Sequence, residues 1–433
     1  MTQLPDTALV VVILTFGASV YLLLSLIIPN SQVPLLVSIF LGTNMFSRSK
    51  LFHKLVENVT SRRRKNGFTN ILGSSTKENY QKYEALSRNM KIELLTAIKS
   101  MDDYKSNCES INNRRRSLFR KMSWSQKKLA ESIGYLKKLN IIDESISKNQ
   151  EILDEVVKAS IGAYSLSIED FNILQNQRTA SSTNYRVIEA LGHIYRDWTP
   201  IGFQEQVPLL KYIKHYLKEF ITEDEKLETA IIIPGSGLGR IAHELALLNF
   251  SSIHAIEYSG LMYNFNQFIY LNNERRYEFF PFNHSCSNFY TTGSQFRKYD
   301  IRLDIAKPKF LHHHHEDFLN FSLPKKEKNV VIITAFFIDT AENLLDYLDK
   351  ILKLTGKVNT YWINVGPLKY GSAAQVEFSA EELTKIRKKM GWTDINLTCS
   401  LDNKDEPLVS YITDKESMWQ GYYGLSMWAS KKK

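Results

Sequence analysis

The chain holds only three cysteines in 433 residues, Cys108, Cys286 and Cys399. So few thiols, odd in number and far apart, exclude a disulfide framework and fit a reduced, cytosol-facing body. Helix breakers are scarce too: residues 76–180 contain no proline and only two glycines, Gly134 and Gly162. Apolar residues recur there at three and four, as in Leu129, Ile133 and Leu136, then Ile152, Val156 and Ala159. This spacing predicts a bundle of amphipathic helices that covers one side of the next domain, with a share in the substrate site as the alternative. Acidic excess is also missing: 55 Lys and Arg face 46 Asp and Glu, and runs such as Arg114-Arg115-Arg116 and Lys431-Lys432-Lys433 are local. Such runs read as solvated faces or tails, and no nucleic-acid partner is expected. Hydrophobic content of 43%, with 22 Tyr and 23 Phe, excludes a disordered chain.

Charge is absent altogether from residues 8–28. An uncharged, mostly Val, Ile, Leu and Ala helix of that length spans roughly 30 Å, the thickness of a bilayer core. A cleaved signal peptide fits less well, since only Asp6 precedes the run where a basic segment is the rule. A second apolar stretch at 33–46 is too short for a confident span, and Pro29-Asn30-Ser31-Gln32 supplies a turn between the two. Arg48, Lys50, Lys54 and the basic run 62–65 hold the downstream side in the cytosol. The organisation expected is a membrane anchor at 1–47, a basic linker at 48–75, a helical domain at 76–180 and an α/β domain at 181–433. No internal repeat is evident.

What the sequence does possess is concentrated in residues 231–240, Ile-Ile-Ile-Pro-Gly-Ser-Gly-Leu-Gly-Arg. A β-branched run, glycines at 235, 237 and 239, and then Ile241, Ala242, Leu245 and Ala246 at helical spacing predict a buried strand, a tight turn and a helix N-terminus. Glycine lets the backbone take the turn's dihedrals and approach a ligand. About 20 residues on, Glu257 ends a second run, Ile253-His254-Ala255-Ile256, where such folds place the acid that accepts both ribose hydroxyls. Glycines with a spaced acid point to an adenosine-containing cofactor rather than to a turn without a ligand. The Gly-x-Gly-x-Gly spacing differs from the dinucleotide pattern, which disfavours NAD and an oxidoreductase.

Five motifs in one order carry a resemblance: Tyr195-Arg196-Asp197-Trp198, the run from Ile233 to Arg240, Ile256-Glu257-Tyr258-Ser259, Phe336-Phe337-Ile338-Asp339-Thr340-Ala341, and Trp362-Ile363-Asn364-Val365-Gly366-Pro367-Leu368. With them the chain resembles the carnosine N-methyltransferase family of class I S-adenosylmethionine-dependent methyltransferases, strongly from Tyr195 and more loosely from residue 76, where Asn149-Gln150-Glu151-Ile152-Leu153 also fits. The resemblance implies a Rossmann-like seven-stranded α/β sheet behind the helices, S-adenosylmethionine as cofactor, and an imidazole of carnosine or a related histidine-containing peptide as acceptor. It implies cofactor contacts from His193, Arg196, Gly235, Gly237, Gly239, Glu257 and Asp317. It also implies an acceptor site with Asp339 as the catalytic carboxylate and Tyr411 and Tyr423 around the ring, where Tyr370 and Tyr422 are further aromatics available to restrain it.

In this reading Arg196 reaches the methionine carboxylate as a fork, Asp317 accepts from the adenine amino group, and Asp339 fixes the imidazole tautomer. An ordinary ion pair is the alternative for Arg196, and a helix cap for Asp339. The chain departs from the family at two places: His193 stands where the family has Gln, and Gly371 where it has His. The second leaves open a different acceptor, or a membrane-anchored protein that binds the cofactor without catalysis. A homodimer is the assembly open to it. Without the N-terminal segment the resemblance implies cytosol and nucleus. Four consecutive histidines, His312 to His315, point alternately to opposite faces of a strand and are not expected to hold a metal.

Overall fold

The computed structural model describes residues 83–174, 182–271, 275–302, 305–325, 327–356, 358–401 and 408–432, with scattered positions between 15 and 39. Met1–Gly73 and Ser74–Lys433 are separate compact units. Among the described residues no helix is long and apolar enough to cross a membrane. About half of the span expected at 8–28, more than half of the stretch at 33–46 and all of the linker at 48–75 lie outside the described residues.

A seven-stranded sheet organises the second unit. Its strands are β1 (Thr229–Pro234), β2 (Ser252–Glu257), β5 (Leu311–His315), β6 (Asn329–Ala335), β7 (Asn359–Gly366), β8 (Trp392–Cys399) and β11 (Ser426–Lys432). Their spatial order is β5-β2-β1-β6-β7-β11-β8. β1 pairs in parallel with β2 and β6, β2 with β5 and β6 with β7, while β11 runs antiparallel between β7 and β8. This is the class I methyltransferase arrangement, with the order reversing at β1, so the carboxyl ends of β1 and β6 open a crevice. All six residues of β1 are buried, as a parallel strand covered on both faces requires. Two small ribbons stand apart, β3 (Arg276–Phe279) with β4 (Tyr299–Arg302), and β9 (Val409–Ser410) with β10 (Tyr422–Tyr423).

The helical part is α1 (Arg88–Asp102), α2 (Tyr104–Arg120), α3 (Trp124–Ser132) and α4 (Tyr135–Tyr164). It is followed by α5 (Ser182–Trp198) and α6 (Val207–Phe220), then α7 (Arg240–Ala246), α8 (Gly260–Ile269), α9 (Leu344–Thr355) and α10 (Ala380–Lys389) among the sheet strands. The boundary expected near residue 180 does not separate two bodies. Leu94 and Ile98 of α1, Ile142 and Val156 of α4, Leu191 of α5 and Phe265 and Phe268 of α8 share one apolar core. Asn149 bridges the same parts: its Nδ2 donates to the Tyr104 hydroxyl and the Phe280 carbonyl, both at 3.0 Å, and its Oδ1 accepts from Phe280 N–H at 2.7 Å. Gly260, at the start of α8, lies against α1 so closely that a Cβ would come within 3.0 Å of the Leu94 Cα.

The histidines of β5 divide between the two sheet faces. His312 stacks on His254 of β2 with ring centroids 5.2 Å apart, and His314 Nε2 meets His254 Nδ1 at 3.0 Å. On the other face His313 Nδ1 meets Gln267 Nε2 at 3.0 Å, and His315 stacks on Tyr263 at 4.6 Å. Among the described residues no group of His, Cys, Asp and Glu is arranged to hold a metal ion. Burial pushes the imidazoles down, His254 to about 3 and His314 and His315 to about 4.

Unfolded histidines titrate near 6.5, so between that pH and about 4 the unfolded chain binds more protons than the folded one. Stability therefore falls as pH falls through this window, by about 1.4 kcal/mol per pH unit for each such histidine. Buried carboxyls that are pushed up, Glu257 to about 7 foremost, act in the opposite sense but are outnumbered. The urea midpoint should drop clearly between pH 7.5 and 5.5, and the drop should shrink in His254→Phe/His314→Leu. A midpoint unchanged across that interval contradicts the assignment.

Candidate active site

β1 ends at Pro234, and the chain turns through Gly235, Gly237 and Gly239 with φ of 61°, 56° and 74°. Their side-chain-free positions do different things. A Cβ on Gly235 would strike the Phe337 ring at 2.3 Å, and one on Gly237 would meet no atom within 4 Å, so that residue faces open space. Gly239 caps α7, and a Cβ there would meet Asn266 Nδ2 at 2.1 Å. Asn266 Nδ2 and Trp198 Nε1 both donate to the Leu238 carbonyl, at 2.7 and 3.1 Å, and fix the outer side of the turn.

The inner side is fixed by Glu257 at the end of β2. Its Oε2 accepts from Gly237 N–H and its Oε1 from Ser259 N–H, each at 2.7 Å. Burial pushes this carboxyl up to about 7, against the pull of the Ser259 and Gly237 N–H groups. The group is therefore poised between ionised and neutral near physiological pH, and an ionised Glu257 has acceptor capacity beyond the two N–H groups it already serves.

Turn and carboxylate border a cavity of about 660 Å³. At one end Tyr258, Asp317, Phe318, Leu319 and Tyr347 line it. Phe337 and Tyr347 stack 4.7 Å apart, 4° from parallel, with Phe318 edge-on to both. At the other end stand His193, Arg196, Phe336 and Tyr411. Arg196 Nε donates to Asp197 Oδ1 at 2.6 Å, and its guanidinium lies 5.1 Å from the Tyr411 ring centroid. Burial opposes the Arg196 charge, but neighbouring Asp197 holds it, and the net effect raises its pKa. Burial and then the Arg196 charge keep His193 neutral, well below its ordinary value. His193 Nε2 lies 3.3 Å from the Tyr411 hydroxyl, while its Nδ1 is buried without a hydrogen-bond partner. Phe336, just past β6, takes a φ of 51° and stacks on Tyr411 at 5.1 Å. Gly366 makes room for that strained backbone, since a Cβ there would come within 3.0 Å of Phe336 N.

These features fit an adenosine cofactor with an amino-acid tail. Aromatic walls and Asp317 occupy one end, a strand-end carboxylate the middle, and a held arginine with an unpartnered buried nitrogen the other end. Of the residues expected from sequence, His193, Arg196, Gly235, Gly237, Glu257, Asp317 and Tyr411 line this cavity. Gly239 does not; it starts the helix behind the turn. Asp339 does not line it either, a correction to the expectation that it faces the reacting centre. Its Oδ2 accepts from Lys369 N–H at 2.9 Å, so it secures the loop after β7, and burial raises its pKa against that N–H. Tyr370 turns its hydroxyl to the Phe378 carbonyl at 3.0 Å, and Tyr423 stands behind Phe336, edge-on at 6.2 Å.

Sequence reasoning missed the group that seats Tyr411. Glu205 accepts from Ile412 N–H at 2.6 Å, Thr413 N–H at 3.3 Å and Ser410 hydroxyl at 2.9 Å, across more than 200 residues of chain. It thereby holds Ile412 at a φ of 53°. Arg240 was also missed. It stacks on Phe203 at 4.0 Å, binds Glu244 and reaches the Asp197 carbonyl at 3.3 Å. Arg240 ends the glycine motif, which is a signal; nothing local marks Glu205.

A family model for carnosine N-methyltransferase matches residues 174–433, more than half of the chain and all of the elements just described. Among individual proteins, an uncharacterized protein of Saccharomyces cerevisiae is 29% identical over 365 residues, covering 75% of this chain and 78% of its own. The carnosine N-methyltransferase of Schizosaccharomyces pombe is 26% identical, covering 76% and 92%, and that of Mus musculus is 27% identical, covering 74% and 81%.

Removing the Glu205 carboxylate takes the acceptor from the Ile412 and Thr413 N–H groups and the Ser410 hydroxyl and leaves the Ile412 strain unopposed. Glu205→Ala should cost about 2–3 kcal/mol of stability and speed amide exchange at 412 and 413 selectively. Unchanged exchange there would show that Glu205 does not seat Tyr411.

Proposed function

The chain belongs to the carnosine N-methyltransferase family, and from that premise we propose that it methylates an imidazole nitrogen of carnosine or a related histidine-containing peptide. It is a methyltransferase enzyme, and its cofactor is S-adenosylmethionine. When bound, the cofactor supplies a methyl group on a positively charged sulfur. The observation that carries the proposal is one cavity lined by Gly237 and Glu257 together with Arg196, Phe336 and Tyr411.

In this reading each group of the chain has a separate task. Glu257 accepts the ribose hydroxyls, Asp317 takes the adenine amino group, and Arg196 holds the carboxylate of the methionine moiety. Methylation of a neutral ring nitrogen asks chiefly for alignment of its lone pair and exclusion of water. Phe336 and Tyr411, parallel to within 21°, form an aromatic wall suited to restraining a flat ring. Tyr423 supports Phe336 from behind, and Tyr370 braces the segment before α10. Asp339 acts by holding the loop after β7 through Lys369 N–H.

We further propose that residues 8–28 tie the enzyme to a membrane with its catalytic unit in the cytosol. Residues 8–28 carry no charge, and Leu22 and Leu26 there are exposed. Alkaline carbonate should fail to extract the full-length protein from membranes; release by carbonate contradicts the anchor.

The acceptor assignment is tested with labelled S-adenosylmethionine and a panel of histidine-containing peptides read by mass spectrometry. The label should appear on the imidazole. Asp339→Ala should slow transfer by roughly tenfold or more, for one lost buried hydrogen bond, without weakening cofactor binding. A Cβ at Gly371 meets no atom within 4 Å, so Gly371→His fits without clash and should raise transfer to carnosine. Undiminished transfer in Asp339→Ala contradicts its role, and label on a non-histidine acceptor contradicts the substrate class.

A further inference from the structure

The α2–α3 hairpin is strongly basic and openly apolar at once. Residues 111–138 hold nine Lys and Arg against one acid, Glu131. Arg114, Arg120, Lys121, Lys127, Lys128 and Lys137 have no ion-pair partner among the described residues. On the same hairpin Leu118 is 54% exposed, Trp124 72%, Leu129 71% and Ile133 82%. None of the nine residues of α3 is buried.

A short helix without burial is marginal in water. Here it is specified by a full capping box: Ser123 Oγ accepts from Gln126 N–H, and Gln126 Oε1 accepts from Ser123 N–H at 3.0 Å. Local sequence therefore builds a helix whose apolar side chains are not buried among the described residues.

We propose that this hairpin docks on an anionic lipid surface, with Trp124, Leu129 and Ile133 entering the interface and the surrounding lysines and arginines meeting phosphate-bearing headgroups. Large apolar side chains within a basic rim match such a surface in both chemistry and charge. A second copy of the hairpin fits poorly, because nine cations would face nine. Single-stranded nucleic acid uses aromatic stacking, which Trp124 alone offers, and leaves Leu129 and Ile133 in water. The site is distinct from the catalytic cavity and independent of whether residues 8–28 span a bilayer.

The test is amide hydrogen exchange of the full chain, read in peptides covering 121–133, with phosphatidylcholine vesicles and with vesicles carrying about one third phosphatidylserine. Exchange should slow about fivefold or more on the anionic vesicles only, and return toward the free rate in high salt. Lys127→Glu/Lys128→Glu and Leu129→Ser/Ile133→Ser, all on a helix that buries nothing, should each abolish the slowing without altering exchange in the sheet. Equal protection on both vesicles, no protection on either, or protection by a short RNA without vesicles would overturn the proposal.

Discussion

The site depends on one carboxylate. Glu257 joins the two strands at the switch point of the sheet by accepting from Gly237 on the β1 turn and from Ser259 after β2. Without an acceptor there, the Gly237 N–H, in a turn held at positive φ by three glycines, would lose its partner. Burial resists the ionised form and two N–H donors favour it, which leaves the group at about 7. Under the proposed function, the structural clamp and the ribose contact reside in the same pair of oxygens.

The opposite end of the cavity is assembled on a different plan, from segments remote in sequence. Arg196 and His193 come from α5, Phe336 from the end of β6, and Tyr411 from a strap held by Glu205. Two strained backbones, Phe336 and Ile412, lie beside one another through the Phe336–Tyr411 stack. The strain is carried by close packing at Gly366 and by the three hydrogen bonds of Glu205. The glycine turn and Glu257 are therefore specified locally, and the group around Arg196, Phe336 and Tyr411 by long-range contacts.

That division explains how much was legible in the sequence. The turn at 235–239, Glu257 and the buried β1 and β2 runs announce themselves through spacing, because backbone dihedrals and strand burial impose residue types on neighbouring positions. Arg196 was readable from its motif. Glu205 was not, since its partners lie more than 200 residues away and an exposed-looking glutamate in a polar connection carries no mark. Asp339 was expected at the acceptor, but the loop after β7, whose path no local pattern fixes, takes one of its oxygens. The helical part and the sheet read as two domains because their composition differs. They fold as one unit because α8 lies against α1 and α5 in a common core.

Calorimetric titration of S-adenosylmethionine into the wild-type chain and Glu257→Ala, at pH 6 and pH 8, tests the central claim most directly. The ionised carboxylate is the form that accepts from both ribose hydroxyls, so wild-type affinity should rise from pH 6 to pH 8 as the group near 7 ionises. Glu257→Ala should bind more weakly by about 1.5–3 kcal/mol at pH 8 and lose that rise. Equal affinity of the two proteins at pH 8 would contradict the assignment of Glu257 as the ribose acceptor.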